Sequence, residues 1–143
     1  MIRQVPTFFV SKSASNYDPI ETPIDHELQA KHSVYLAQSG IKGLVILGST
    51  GEAVHLTNKE RNELLRSQRD ALEKAGFKDY PIMAGTASAS IPDVIEQLKG
   101  AKEAGSQWGM CLAPGYFGAT TTQGNIADWF TAVADRSPIP ILV

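Results

Sequence analysis

The chain has 143 residues, 43% hydrophobic and 20% charged, a globular composition far from the apolar-poor, charge-rich signature of disorder. Thirteen Lys and Arg stand against fifteen Asp and Glu, a formal net charge of −2, so no basic face invites nucleic acid or an anionic membrane. No apolar run reaches the roughly 18 residues of a transmembrane helix, and Met1 to Pro6 lacks the apolar stretch of a signal peptide. A single cysteine, Cys111, excludes an internal disulfide and suits a reducing compartment such as the cytoplasm.

Five short β-rich segments alternate with four helix-length amphipathic ones. Residues 5–10 read as the first strand. A first helix follows, opened by Thr22-Pro23-Ile24-Asp25 and closed at Ser39-Gly40. The second strand spans 43–47. Behind it Thr57-Asn58-Lys59-Glu60 forms a capping box, and Leu64, Leu65, Gln68, Ala71, Leu72 and Ala75 recur at helical spacing before the Gly76 cap. The third strand is 81–84. Ser90-Ile91-Pro92-Asp93 starts the next helix, with Val94, Ile95, Leu98, Ala101 and Ala104 inward and Gly105 closing it. The fourth strand covers 108–113. Ile126, Trp129, Phe130 and Val133 mark the last helix, and 138–143 looks like the beginning of a fifth, buried strand.

The strands are apolar on both faces and start at intervals of roughly 30 residues, the size of a βαβ unit, so the class is α/β with a parallel sheet. Two architectures fit the alternation. A flavodoxin-like doubly wound sheet, binding a phosphorylated ligand at residues 48–51, would be complete at this length. A (β/α)8 TIM barrel needs about 250 residues, so 1–143 would be its N-terminal half: four βα units plus the start of strand 5. The final apolar residues, which stop inside a strand, favour the barrel.

In either architecture chemistry sits beyond the C-terminal ends of the strands. The second strand runs into Gly48-Ser49-Thr50-Gly51-Glu52, where two glycines allow tight turning, backbone N–H groups can hold an anion, and two hydroxyls offer a proton relay. The third strand ends in Gly85-Thr86-Ala87-Ser88 and the fourth in Ala113-Pro114-Gly115-Tyr116, whose tyrosine is a candidate proton shuttle. His26, His32 and His55 lack metal-ligand spacing, which leaves no candidate metal site. Cys111, inside an apolar strand, reads as core. None of the eight lysines (Lys12, Lys31, Lys42, Lys59, Lys74, Lys78, Lys99, Lys102) falls on an apolar strand, where an amine nucleophile would be kept desolvated and unprotonated.

These strand-end motifs resemble the dihydrodipicolinate synthase / N-acetylneuraminate lyase family of class I, Schiff-base aldolases. The likeness rests on Val5-Pro6-Thr7-Phe8-Phe9, on Gly48-Ser49-Thr50-Gly51-Glu52 followed by Leu56-Thr57 and Glu60-Arg61, on Pro81-Ile82-Met83-Ala84-Gly85-Thr86, and on Ala113-Pro114-Gly115-Tyr116. The resemblance implies a lyase acting on pyruvate or a related 2-oxo acid and an aldehyde, with no cofactor and as a homo-oligomer in the complete protein. It assigns Ser49 and Tyr116 to the catalytic proton relay and Thr50, with Gly48 and Gly51, to substrate-carboxylate binding. The family's Tyr-Asn-x-Pro tyrosine and its lysine on the sixth strand are not among these residues. An isolated chain would therefore be a catalytically incomplete half that binds a small carboxylate or pairs with another half-barrel. Gly115 stands where many members carry an aromatic at a dimer contact. Ser49 and residues 52–57 look more like fungal 2-oxo-acid aldolases, such as those for 4-hydroxy-2-oxoglutarate or deoxy-sugar acids.

Overall fold

The computed structural model describes residues 1–143. Its elements are β1 (Ile2–Gln4), α1 (His26–Gln38), β2 (Gly43–Ile46), a 3-10 turn (Ala53–His55), α2 (Asn58–Lys74), β3 (Ile82–Gly85), α3 (Ile91–Glu103), β4 (Trp108–Met110), α4 (Gln123–Ala134) and β5 (Ile141–Leu142). The strands form one sheet in the order β1-β2-β3-β4-β5, every neighbour parallel. A flavodoxin-like sheet would interleave its first two strands as 2-1-3-4-5, so that reading is overturned. Sequential parallel strands joined by helical crossovers build the first part of a TIM barrel.

The two faces of the sheet differ. Leu44, Ile46, Ile82 and Ala84 are almost fully buried and join one hydrophobic cluster with Leu64, Leu65 and Leu72 of α2 and Val94 and Leu98 of α3. Gly109 faces the same way, since a side chain there would collide with Leu98. Its neighbour Met110 therefore points to the opposite, concave face, where its terminal methyl and the Gln4 amide flank Gly48.

Three strands depart from the expected ranges by more than one residue, and proline explains two of them. The expected 5–10 strand is shifted to Ile2–Gln4: Val5 still donates to the Val45 carbonyl at 3.1 Å, but Pro6 has no N–H with which to continue. The expected 138–143 strand begins only at Ile141, because Pro138 and Pro140 lack donors. The expected 108–113 strand is reduced to Trp108–Met110, although Cys111 still donates to the Leu142 carbonyl at 2.8 Å.

Helix α1 starts four residues after Thr22, because Pro23 and Ile24 are used in an extended contact with Phe9 and Val10. Asp25 caps it instead, accepting from the Leu28 N–H at 2.9 Å. Within α1 the fully buried Gln29 accepts from the Phe8 N–H at 2.9 Å and donates to the Pro6 carbonyl at 3.0 Å, pinning the chain where it leaves β1. The Thr57–Glu60 capping box forms as expected, and α4 carries a second one from Thr122 and Asn125. Gly40, Gly76 and Gly105 end their helices at φ of 88°, 89° and 89°, the left-handed region that glycine enters without strain. No helix is long and apolar enough to cross a membrane. Thr57→Ala removes the acceptor for the Glu60 N–H and should lower unfolding free energy by about 1 kcal/mol, measurable by denaturant titration.

Candidate functional site

The loops after β2, β3 and β4 meet around a cleft of about 310 Å³. Gly48, Ser49, Ala53 and Val54 line it from the β2 loop, residues 86–89 from β3 and 112–115 from β4. Small side chains predominate, so backbone groups and hydroxyls are within reach of a ligand.

The β2 loop is shaped at unexpected positions. Neither Gly48 nor Gly51 has positive φ; the left-handed residues are Leu47 at 64° and Glu52 at 54°. Each costs on the order of 1 kcal/mol relative to the right-handed form. The Leu47 carbonyl turns over β3, into the space a side chain on Gly85 would occupy. Gly51 is a glycine for want of room, since a Cβ there would lie 3.2 Å from both the Leu47 nitrogen and the Val5 carbonyl oxygen. Its own N–H donates to the Gly48 carbonyl at 3.0 Å and its carbonyl accepts from the Thr7 hydroxyl at 2.6 Å, so Gly51 braces the loop and offers an anion nothing. The Glu52 N–H is likewise spent on the Ser49 carbonyl at 3.1 Å. The N–H groups of Ser49 and Thr50 remain free. The Gly48 N–H has no hydrogen-bond partner either.

Arg61, on the first turn of α2, ties two of the three loops together. It is 3% exposed, with Nη1 donating to the Ala53 carbonyl at 3.2 Å and Nη2 to the Gly85 carbonyl. Burial pulls its guanidinium down to about 10, with Asp93 opposing the shift, so it is a cation at neutral pH. Asp93 also accepts from Asn58 at 3.1 Å and from Gln97 at 3.2 Å, and Gln97 in turn accepts from the Ala87 N–H at 3.0 Å. Trp129 of α4 donates to the Ala89 carbonyl at 3.0 Å, fixing the other end of the β3 loop. Arg61 was named only within the Glu60-Arg61 helix start and given no role, yet a signal existed: with Leu64, Leu65, Gln68 and Leu72 it completes the buried stripe of α2.

The structure brings Gly48 and Ser49 to the cleft, while Thr50 turns to β1 and donates its hydroxyl to Gln4 Oε1 at 3.0 Å. Tyr116 does not line the cleft; it is 88% exposed and packs edge-on against Phe117 at 4.9 Å. Thr86 does line it, and its buried hydroxyl makes no geometrically sound hydrogen bond. The Thr86 hydroxyl lies beside the buried Cys111 thiol, which burial pushes above its ordinary range while Thr86 partly offsets the shift. All eight lysines are exposed. His26 bonds to the Ser67 hydroxyl at 3.1 Å and His32 packs edge-on against Phe8, local roles for both. A larger groove of about 710 Å³ lies between residues 9–22 and the start of α2, but its mixed Lys12, Lys59, Glu21 and Glu52 lining selects no single ligand charge.

The model of the dihydrodipicolinate synthetase family matches residues 14–143. The chain belongs to that family. An L-threo-3-deoxy-hexylosonate aldolase of Aspergillus niger is 41% identical over 128 residues, covering 89% of this chain and 38% of the relative. A protein of Emericella nidulans, described as a probable mitochondrial 4-hydroxy-2-oxoglutarate aldolase, is 40% identical over 139 residues, 97% of this chain and 43% of its own. These are the two kinds of fungal aldolase that Ser49 and residues 52–57 resemble. The chain thus spans about two-fifths of the length of these relatives. Among solved structures, a dihydrodipicolinate synthase family protein from Coccidioides immitis superposes with a TM-score of 0.79 at 35% identity, over 98% of this chain and 41% of that one. A prophage protein of the same family from E. coli K12, in complex with pyruvate, gives 0.80 at 26% identity, over 98% of this chain and 42% of its own.

Two outcomes follow from this packing. Arg61→Met strands the Ala53 and Gly85 carbonyls without donors and should cost roughly 2–4 kcal/mol in unfolding free energy by denaturant titration. Cys111, 1% exposed, should resist a thiol reagent in the native chain and react fully once the chain is unfolded in guanidinium, followed by absorbance.

Proposed function

We propose that these residues are the substrate-carboxylate half of a class I aldolase or lyase acting on a 2-oxo acid of the pyruvate type and an aldehyde. The observation that carries this is the β2 loop: free N–H groups on Ser49 and Thr50 at the C-terminal rim of a parallel sheet, in a chain of this family. A carboxylate accepts from such a pair as it would from a helix N-terminus. Thr50, with Gly48 and Gly51 shaping the turn around it, forms the carboxylate site. Ser49, beside the cleft, carries the hydroxyl of the proton relay. Tyr116 is its partner, and its outward position suits a relay completed across a subunit boundary of a homo-oligomer. Pyruvate, named with the E. coli structure, is the acid that best supports the substrate class.

Carbon–carbon bond formation beside a 2-oxo group needs an electron sink. In this reaction class the sink is an iminium formed on a desolvated lysine, and the chemistry requires no cofactor or metal. All eight lysines are exposed to solvent, so none is the desolvated amine that this chemistry needs. Catalysis therefore draws its lysine from outside these residues, and this chain by itself binds without condensing. A reducing compartment, cytoplasmic or the matrix of an organelle, keeps the Cys111 thiol as the core group its burial makes it.

Incubating the chain with pyruvate and borohydride, followed by intact mass measurement, should show no pyruvyl adduct. A stoichiometric adduct on any of the eight lysines overturns the division of labour described here. Pyruvate should nonetheless shift the Ser49 and Thr50 amide resonances saturably.

A further inference from the structure

Gln4 is the last residue of β1, opposite Val45, on the concave face of the sheet. Position 4 lies outside every motif that carries the family resemblance, and the strand residues around it are apolar or basic. Its amide nevertheless lies against the β2 loop at two points. A Cβ on Gly48 would sit 3.4 Å from both its Cδ and its Oε1, and Oε1 accepts the Thr50 hydroxyl at 3.0 Å. The Thr50 hydroxyl has one proton to give. Given to Gln4, it cannot also be given to an anion at the loop.

We infer that Gln4 is a positioning residue of the carboxylate site: it holds the Thr50 side chain against β1 and so leaves recognition to the Ser49 and Thr50 N–H pair. The inference rests on the carboxylate reading of the β2 loop and adds a division of roles to it. Thr50 contributes its backbone to the ligand and its side chain to the scaffold. Gln4 acts through Thr50 and makes no contact of its own with the bound acid. Because the loop already stores left-handed backbone at Leu47 and Glu52, an anchor between them holds the loop in this conformation when no ligand is present.

The test is a double-mutant cycle in the 143-residue chain, with sodium pyruvate as probe and the Ser49 and Thr50 amide shifts as readout. Gln4→Met keeps side-chain length without an acceptor, and Thr50→Val removes the hydroxyl. Each should weaken binding about fivefold, the worth of one ordinary hydrogen bond. The double variant should show the same fivefold loss, since the two groups act as one. Additive losses, about 25-fold in the double variant, would mean that each meets the ligand separately and overturn the inference. Unchanged affinity in Gln4→Met overturns it equally, with the carboxylate reading intact. No saturable shift in the unsubstituted chain overturns the carboxylate reading itself, and the role of Gln4 with it. Amide spectra of β2 and β3 report on folding; Gln4→Thr, too short to reach Thr50, repeats the cycle if methionine perturbs β1.

Discussion

A buried guanidinium with no carboxylate in direct contact holds the working rim of this sheet together. Arg61 bridges the carbonyls of Ala53, in the loop after β2, and Gly85, the last residue of β3. Both loops are made of small residues that pack little apolar surface, so burial alone would leave them loose. A charged donor paired with neutral carbonyls keeps its positive field, partly compensated by Asp93.

The core and the rim are built by different rules. Under the rim, branched and unbranched aliphatics from β2 and β3 interdigitate with α2 and α3, and hydrophobic burial does most of the work. At the rim, the order comes from a short list of hydrogen bonds: Thr7 to Gly51, Gln29 to Phe8 and Pro6, Gln97 to Ala87, Trp129 to Ala89. Each anchors a loop to an element that the core has already fixed. The strain at Leu47 is tolerated because Gly85 leaves space for its carbonyl and because its side chain is buried.

Much of this was legible in the residues. The capping box at Thr57, the three C-terminal glycines and the apolar stripes place the helices, because each is a local signal decided within a few residues. Strand ends were less legible. Pro6 and Pro140 stop ladder hydrogen bonds inside apolar runs, and periodicity alone does not register a missing donor. For the site, residues 48–52 were found as a motif, but it was not legible that the Gly51 N–H is bonded inside the loop. Which N–H groups are free depends on Leu47 and Glu52 adopting left-handed backbone, which those residue types do not advertise. The exposed setting of Tyr116 is likewise set by tertiary packing of the β4 loop and has no sequence signature.

The one-sided placement of the helices has a consequence for how such a chain changes over time. Residues that face α2 and α3 are constrained by packing, where a single methylene is felt. Gln4 and Met110 stand on the other side of the same strands and are not members of that cluster. Substitutions there leave the packing against α2 and α3 as it was. Strand periodicity thus separates the inheritance of a scaffold from the invention of a substrate preference, one residue apart along the same backbone.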